Sequence, residues 1–172
     1  VGLEQWLGRL IGDAPVYVRL RHDHIRLRHA GSGREIEDVP VLAVSTATPR
    51  TILGAGREAA QQAALTRSAW ELLNGFDHPR LLLAERTLRH FLRQLLGSRL
   101  LPLSPVLVMH PLERLEGGIA PIEVRALQEL AAGAGAREAL VWTGPELTDA
   151  ELCEGTFRGR PELQAGRSRW EG

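Results

Sequence analysis

Residues 16–28 read VYVRLRHDHIRLR, and this stretch decides the class of fold. Val16, Val18 and Leu20 alternate with Tyr17, Arg19 and Arg21, and then Ile25 and Leu27 alternate with His24, Arg26 and Arg28. A period of two places an apolar row and a polar row on opposite faces of a strand. His22-Asp23 falls between the two runs as the expected tight turn, so the stretch predicts a β-hairpin lying with one face on a core.

Further along, Gly31-Ser32-Gly33 is the next turn, Glu35–Val39 carries a weaker strand pattern interrupted by Pro40, and Val41–Val44 is a short apolar run typical of a buried strand. Thr51–Gly56 reads as a short strand or turn leading into a helix over 57–65, and 66–79 as irregular. A strong helix is predicted from Leu81 to Leu96. Leu81, Ala84, Leu88, Phe91, Leu92 and Leu95 form its apolar stripe, and Gly97 is its stop. Val106–Met109 reads as a buried strand. Pro121 opens a helix running to about Ala132, closed by Gly133 and Gly135, and Leu140–Trp142 is another short apolar strand. Thr148 is placed to cap a last helical turn into Leu152. Early strands followed by helix, strand, helix, strand predict one α/β domain over 13–155, a mixed sheet with helices against it and no second domain. Residues 156–172, rich in Arg, Gly, Pro and Ser, are expected to be a mobile tail.

Upstream, Leu3, Trp6, Leu7, Leu10 and Ile11 recur at helical spacing over 1–12, opposite Glu4, Gln5 and Arg9. This amphipathic helix has two readings: packing on its own domain or a second copy, or contact with a membrane surface. Trp and Leu suit the headgroup boundary, whereas the polar face offers little positive charge to anionic lipid.

The composition narrows the chemistry. The 172 residues include 21 basic and 21 acidic side chains, and every basic one is arginine. A balanced charge supplies no global field toward nucleic acid or membrane. Without lysine, a Schiff base and a P-loop lysine are both excluded. The single Cys153 cannot form an internal disulfide, which fits a reducing, cytoplasmic setting. No run approaches the ~20 apolar residues of a membrane span.

Two segments carry a family resemblance. Residues 125–138, RALQELAAGAGARE, resemble the helix and turn of the bacterial rod-shape-determining (MreB) family, and residues 84–92, AERTLRHFL, resemble its Thr-Glu-Lys-Met-Leu…Phe helix. Ser104-Pro105-Val106-Leu107-Val108 is similar to the strand between them, and Leu53-Gly54 through Glu58-Ala59 to the family's Val-Gly-x-x-Ala segment. Four matches in order, from about Val16 to Pro145, imply an actin-like (ribonuclease-H-like) subdomain: three early antiparallel strands, then α-β-α-β. The N-terminal helix resembles the membrane-binding segment of some members. The family's first phosphate loop is an Asp-x-Gly-Thr turn, whose matched positions here hold Arg19, Arg21 and His22. The hairpin has no glycine, and its only acid is Asp23. Thr143-Gly144 stands before Pro145 where the family has an acidic pair that helps activate water. The second phosphate loop and adenosine pocket belong beyond the matched stretch.

The resemblance therefore implies an interaction or scaffold protein of the cell-shape machinery, with no ATPase activity and no cofactor. Its partners would be itself, a bacterial cell-shape protein or the inner-membrane surface. Two other readings stay open: one piece of a split actin-like ATPase completed by a partner chain, and a nucleic-acid binder through the arginine hairpin. Arg19, Arg21, Arg26 and Arg28 share one strand face, which suits an anion or an acidic partner by bidentate contact or, more plainly, a solvated surface. Nucleic acid is not expected, because no aromatic residues interleave the arginines. His22-Asp23-His24 with His29 has metal-ligand chemistry but no evident fourth ligand, so no metal is expected. Residues 54–59, GAGREA, mimic a dinucleotide fingerprint without the clean preceding strand or ribose acid.

Overall fold

The computed structural model describes residues 14–21, 24–39, 41–44, 52–57, 66–68, 78–97, 104–113 and 117–164. The N-terminal helix predicted over 1–12, the helix over 57–65 and the His22-Asp23 turn lie outside them, apart from the two helical residues Gly56 and Arg57.

The hairpin forms as the alternation predicts. Strand β1 (Val16–Leu20) runs antiparallel to β2 (Ile25–His29), with Val18 opposite Leu27, and the Arg21 N–H donates to the His24 carbonyl at 2.9 Å to close the pair. After the turn at Gly33 (φ 65°), β3 (Glu35–Asp38) adds antiparallel to β2. Strand β4 (Val41–Val44) leaves this sheet. It pairs on either side with β5 (Ile52–Ala55) and β6 (Thr66–Ser68), forming a separate three-stranded antiparallel sheet. The prediction of a single mixed sheet is thus corrected, and so is the irregular reading of 66–68. Three residues, TRS, are too short for a periodicity, and β6 becomes a strand by pairing with β4.

Helix α1 (His78–Leu96) begins three residues before the predicted Leu81 and ends at Gly97, whose φ of 74° is the left-handed stop expected there. Strand β7 (Val106–Pro111) lies parallel to β1, helix α2 (Pro121–Ala134) follows, and β8 (Glu138–Trp142) lies parallel to β7. Gly133 does not stop α2; Gly135, at φ 112°, does. A Cβ on Gly133 would come within 2.2 Å of the Glu85 side chain, so this glycine lets α1 approach α2. The start of α2 uses Pro121 in its first turn and a Glu123 carboxylate that accepts from the Ala120 N–H at 2.8 Å.

Helix α3 (Asp149–Glu154) has Thr148 as its N-cap. Glu151 N–H donates to Thr148 Oγ1 at 3.2 Å while the Glu151 carboxylate accepts from Thr148 N–H at 2.9 Å, a complete capping box. The expected mobile tail is corrected for 156–164. A 3₁₀ turn (Thr156–Gly159) buries Phe157 completely, and β9 (Leu163–Gln164) pairs antiparallel with β8. One aromatic ring with a cavity to fill outweighs a polar, glycine-rich composition; residues 165–172 lie outside the described residues.

The result is a mixed α/β fold: a six-stranded sheet of order β3-β2-β1-β7-β8-β9 with flanking helices. One face carries Val16, Val18, Leu20, Leu27, Leu107, Met109 and Val141 against Leu88, Phe91, Leu92 and Leu95 of α1 and Leu127 and Leu130 of α2. The other carries Tyr17, Val108, Leu140 and Trp142 against Leu147, Leu152 and Phe157. Among the described residues no helix is long and apolar enough to cross a membrane.

Candidate functional site

The second face is where polar chemistry gathers. The strand registers align two rows across it. One runs Glu35–Arg28–Tyr17–Val108–Leu140; the other runs Glu37–Arg26–Arg19–His110 and continues toward Trp142 on β8. Each row passes from charged at the β3 edge to apolar or aromatic under α3 and the 3₁₀ turn.

Arg19 and Arg26 stand directly opposite each other, an arrangement that repels on a sheet unless carboxylates bracket it. They do. Arg26 pairs with Glu35 and, at 3.5 Å, with Glu37 of the edge strand; Arg19 pairs with Glu146, brought 127 residues along the chain by the 143–148 segment. Arg28 meets Asp149 at 2.9 Å and donates to the Leu147 carbonyl at 2.8 Å, and its guanidinium lies 5.7 Å from the centre of the Tyr17 ring. Arg21 is exposed at the end of the hairpin. The predicted arginine face is thus real as a face, and three of its four members hold the chain's own carboxylates.

At the centre lies a pair that the alternation alone did not single out. The Tyr17 hydroxyl, fully buried, hydrogen-bonds His110 Nδ1 and accepts the Leu147 N–H at 3.3 Å; the two rings stack 5.6 Å apart. Burial, with the Arg19 guanidinium beside it, lowers the His110 pKa from 6.5 to about 4, while a hydrogen bond to the Gly144 backbone opposes the shift. Burial likewise pushes the Tyr17 phenol up to about 12. Both side chains are therefore neutral near pH 7. With Leu147 N–H donating to its oxygen, the Tyr17 hydroxyl gives its proton to Nδ1. The neutral imidazole then carries its hydrogen on Nε2. The predicted strand ended at Met109; His110 lies inside β7. Its signal in the sequence is position: it shares Arg19's register on the polar row.

The 143–148 segment is held from both sides. Trp142 Nε1–H donates to the Pro145 carbonyl at 2.7 Å, Thr143 N–H and Oγ1–H both donate to the Glu162 carbonyl, and Arg160 stacks 4.8 Å over the Trp142 ring. A Cβ on Gly144 would come within 2.5 Å of the Trp142 ring, so the segment lies flat on that indole. The arrangement orders a loop.

The remaining candidates resolve individually. Leu3, Trp6, Leu7, Leu10 and Ile11 lie outside the described residues, as do His22 and Asp23. His29 bonds Ser32 Oγ at 2.8 Å, and among the described residues no three His, Cys, Asp or Glu side chains converge as a metal-ligand set. In the glycine-rich 54–59 stretch, Arg57 N–H donates to the Asp38 carboxylate at 2.8 Å, and Gly56 (φ 73°) lies so close that a Cβ would come within 2.0 Å of it. The Asp38 carboxylate thus occupies the backbone N–H of Arg57. No protein-family model and no curated protein matches this chain.

Proposed function

We propose that this chain is an actin-like, ribonuclease-H-like half-domain of the MreB kind, acting as a non-catalytic interaction or scaffold protein in bacterial cell-shape determination. The observation that carries the reading is the strand order. In β3-β2-β1-β7-β8 only β2 opposes the rest, and β7 and β8 join on the β1 side after α1 and α2 respectively. Three early antiparallel strands followed by α-β-α-β is the arrangement that the four ordered sequence matches imply.

The non-catalytic half of the reading rests on what fills the matched phosphate positions. Arg19 holds Glu146 where the family presents an acid toward Mg²⁺, and Thr143-Gly144 is bound to Glu162 and packed on Trp142 where the family has its acidic pair. Pairing of the hairpin arginines with Glu35, Glu37, Glu146 and Asp149 weighs against phosphate as their ligand. An interaction role, on the cytoplasmic side and in contact with itself, a cell-shape protein or the membrane surface, uses the fold without its nucleotide chemistry.

Titration calorimetry of the purified chain with Mg²⁺-ATP and Mg²⁺-ADP, run beside co-sedimentation with liposomes and with a cell-shape filament protein, tests both halves. The expected result is no nucleotide heat together with co-sedimentation. Micromolar nucleotide binding overturns the non-catalytic half. A monomer that binds neither liposomes nor filament overturns the scaffold half.

A further inference from the structure

We propose that Tyr17 and His110 form a proton-operated latch that holds the 143–148 segment, and with it the start of α3, onto the sheet. The geometry is a closed chain of donors and acceptors. Leu147 N–H donates to Tyr17 Oη, Tyr17 Oη–H donates to His110 Nδ1, and the remaining His110 N–H reaches the Gly144 backbone. Both ends of the segment are thereby fastened through one buried phenol and one buried imidazole 93 residues apart. The latch is independent of the actin-like reading, because it needs only these side chains.

Neutrality of the imidazole is what closes it. A proton on Nδ1 removes the acceptor of the Tyr17 hydroxyl, leaves that hydroxyl's hydrogen without a partner, and sets a second cation beside Arg19. The charged groups around the pair come from every neighbouring element: Arg19 from β1, Arg28 from β2, Glu146 from the segment itself and Asp149 from α3. Arg160 stacks on the far side of Trp142. Glu146, exposed and paired with Arg19, favours the charged imidazole from a distance, but burial and Arg19 outweigh it; Asp149 is paired with Arg28.

The direction with pH follows. Above pH 6.5 the imidazole is neutral whether the latch is closed or open, and protons do not bias it. Below 6.5 an open His110 with its ordinary pKa takes up a proton that the closed form refuses until about pH 4. Opening therefore becomes easier as the pH falls through that window, by about 40-fold between pH 6.5 and 4.5.

The test is amide and indole hydrogen exchange on the full chain, resolved at Leu147 N–H and Trp142 Nε1–H, with Leu107 N–H as the sheet reference. The His110 ring nitrogens are followed by NMR over the same range. The expected result is an Nε2–H tautomer with bare Nδ1 at pH 7, and a fall of about 40-fold in the Leu147 protection factor from pH 6.5 to 4.5 with Leu107 unmoved. His110→Asn keeps an acceptor near Nδ1 but cannot titrate, so its Leu147 protection is expected to stay flat over that range. Glu146→Gln is expected to retain the wild-type slope. An Nδ1–H or charged His110 at pH 7 overturns the latch whether or not any variant folds. So does a slope that survives in His110→Asn, or Leu107 losing protection together with Leu147.

Discussion

The two faces of the six-stranded sheet are built on different physics. Under α1 and α2 the contacts are mostly aliphatic and aromatic: Phe91, Leu92 and Leu107 are fully buried, and removal of apolar surface from water dominates. Opposite them, Tyr17, His110 and Trp142 are equally buried, yet Tyr17 and Trp142 each bond the 143–148 segment through a polar atom and His110 bonds Tyr17. The first face is held by close packing, without directional bonds to fix a partner. The second has one arrangement that satisfies its donors and acceptors, so it fixes the path of a segment that has little apolar surface of its own. Burial provides cohesion; the polar network provides the address.

Substitutions on either side sharpen that contrast. The largest effect is expected from Phe91→Ala, which empties a fully buried ring site between α1 and the sheet and costs about 3–5 kcal/mol. Chemical denaturation at pH 7 should show this loss as a lower midpoint with an unchanged slope, the edge contact with the His90 ring, 5.9 Å between centroids, being lost with it.

Tyr17→Phe keeps the ring and removes one oxygen. It strands the Leu147 N–H and His110 Nδ1, at a cost of about 1–3 kcal/mol for buried groups left unpaired. Here the loss is expected to be larger at pH 7 than at pH 5, since acid already weakens what the hydroxyl holds. Equal losses at the two pH values would place Tyr17 with Phe91 as packing only.

Thr148→Ala removes a local cap and is expected to cost about 1 kcal/mol, read as a lower denaturant midpoint with an unchanged slope. Smallest is Arg158→Ala, which breaks the two-pronged pair with Glu138 at 2.7 and 2.9 Å. Both partners are partly exposed, so less than about 1 kcal/mol is expected. Its sign is the same as that of His110, in a lower window of pH. Arg158 holds the Glu138 carboxyl below its ordinary 4.5, so the contribution is present above pH 4.5 and disappears as the pH falls through the depressed value. A melting-temperature difference between wild type and Arg158→Ala that persisted at pH 2 would contradict that assignment.

Most of the apolar face was legible in advance and little of the polar one. Val16, Val18, Leu20 and the α1 stripe announce themselves by period, because a strand or helix with one buried side repeats its apolar residues at the spacing of its own geometry. Thr148 and Gly97 were legible for the same reason, since a cap satisfies backbone groups within a few residues. The arginine row was legible as a row, but its partners were not: Glu146 lies 127 residues from Arg19, and no periodicity links them. Phe157 was submerged in a stretch whose average composition is that of a tail, and β6 was too short to carry any pattern.

The sequence by itself determined the α/β class, the early hairpin and the order of the later helices and strands, along with which strand faces are oily. Those properties are local, set by side-chain period, glycine and proline stops, and caps. Only the tertiary structure decided that β4 leaves the main sheet, that β9 closes its far edge, and that Tyr17 meets His110 beneath the 143–148 segment. Each of these depends on a backbone edge or a buried polar atom finding its partner across the fold, and a hydrogen bond leaves no mark on the sequence between the two residues that share it.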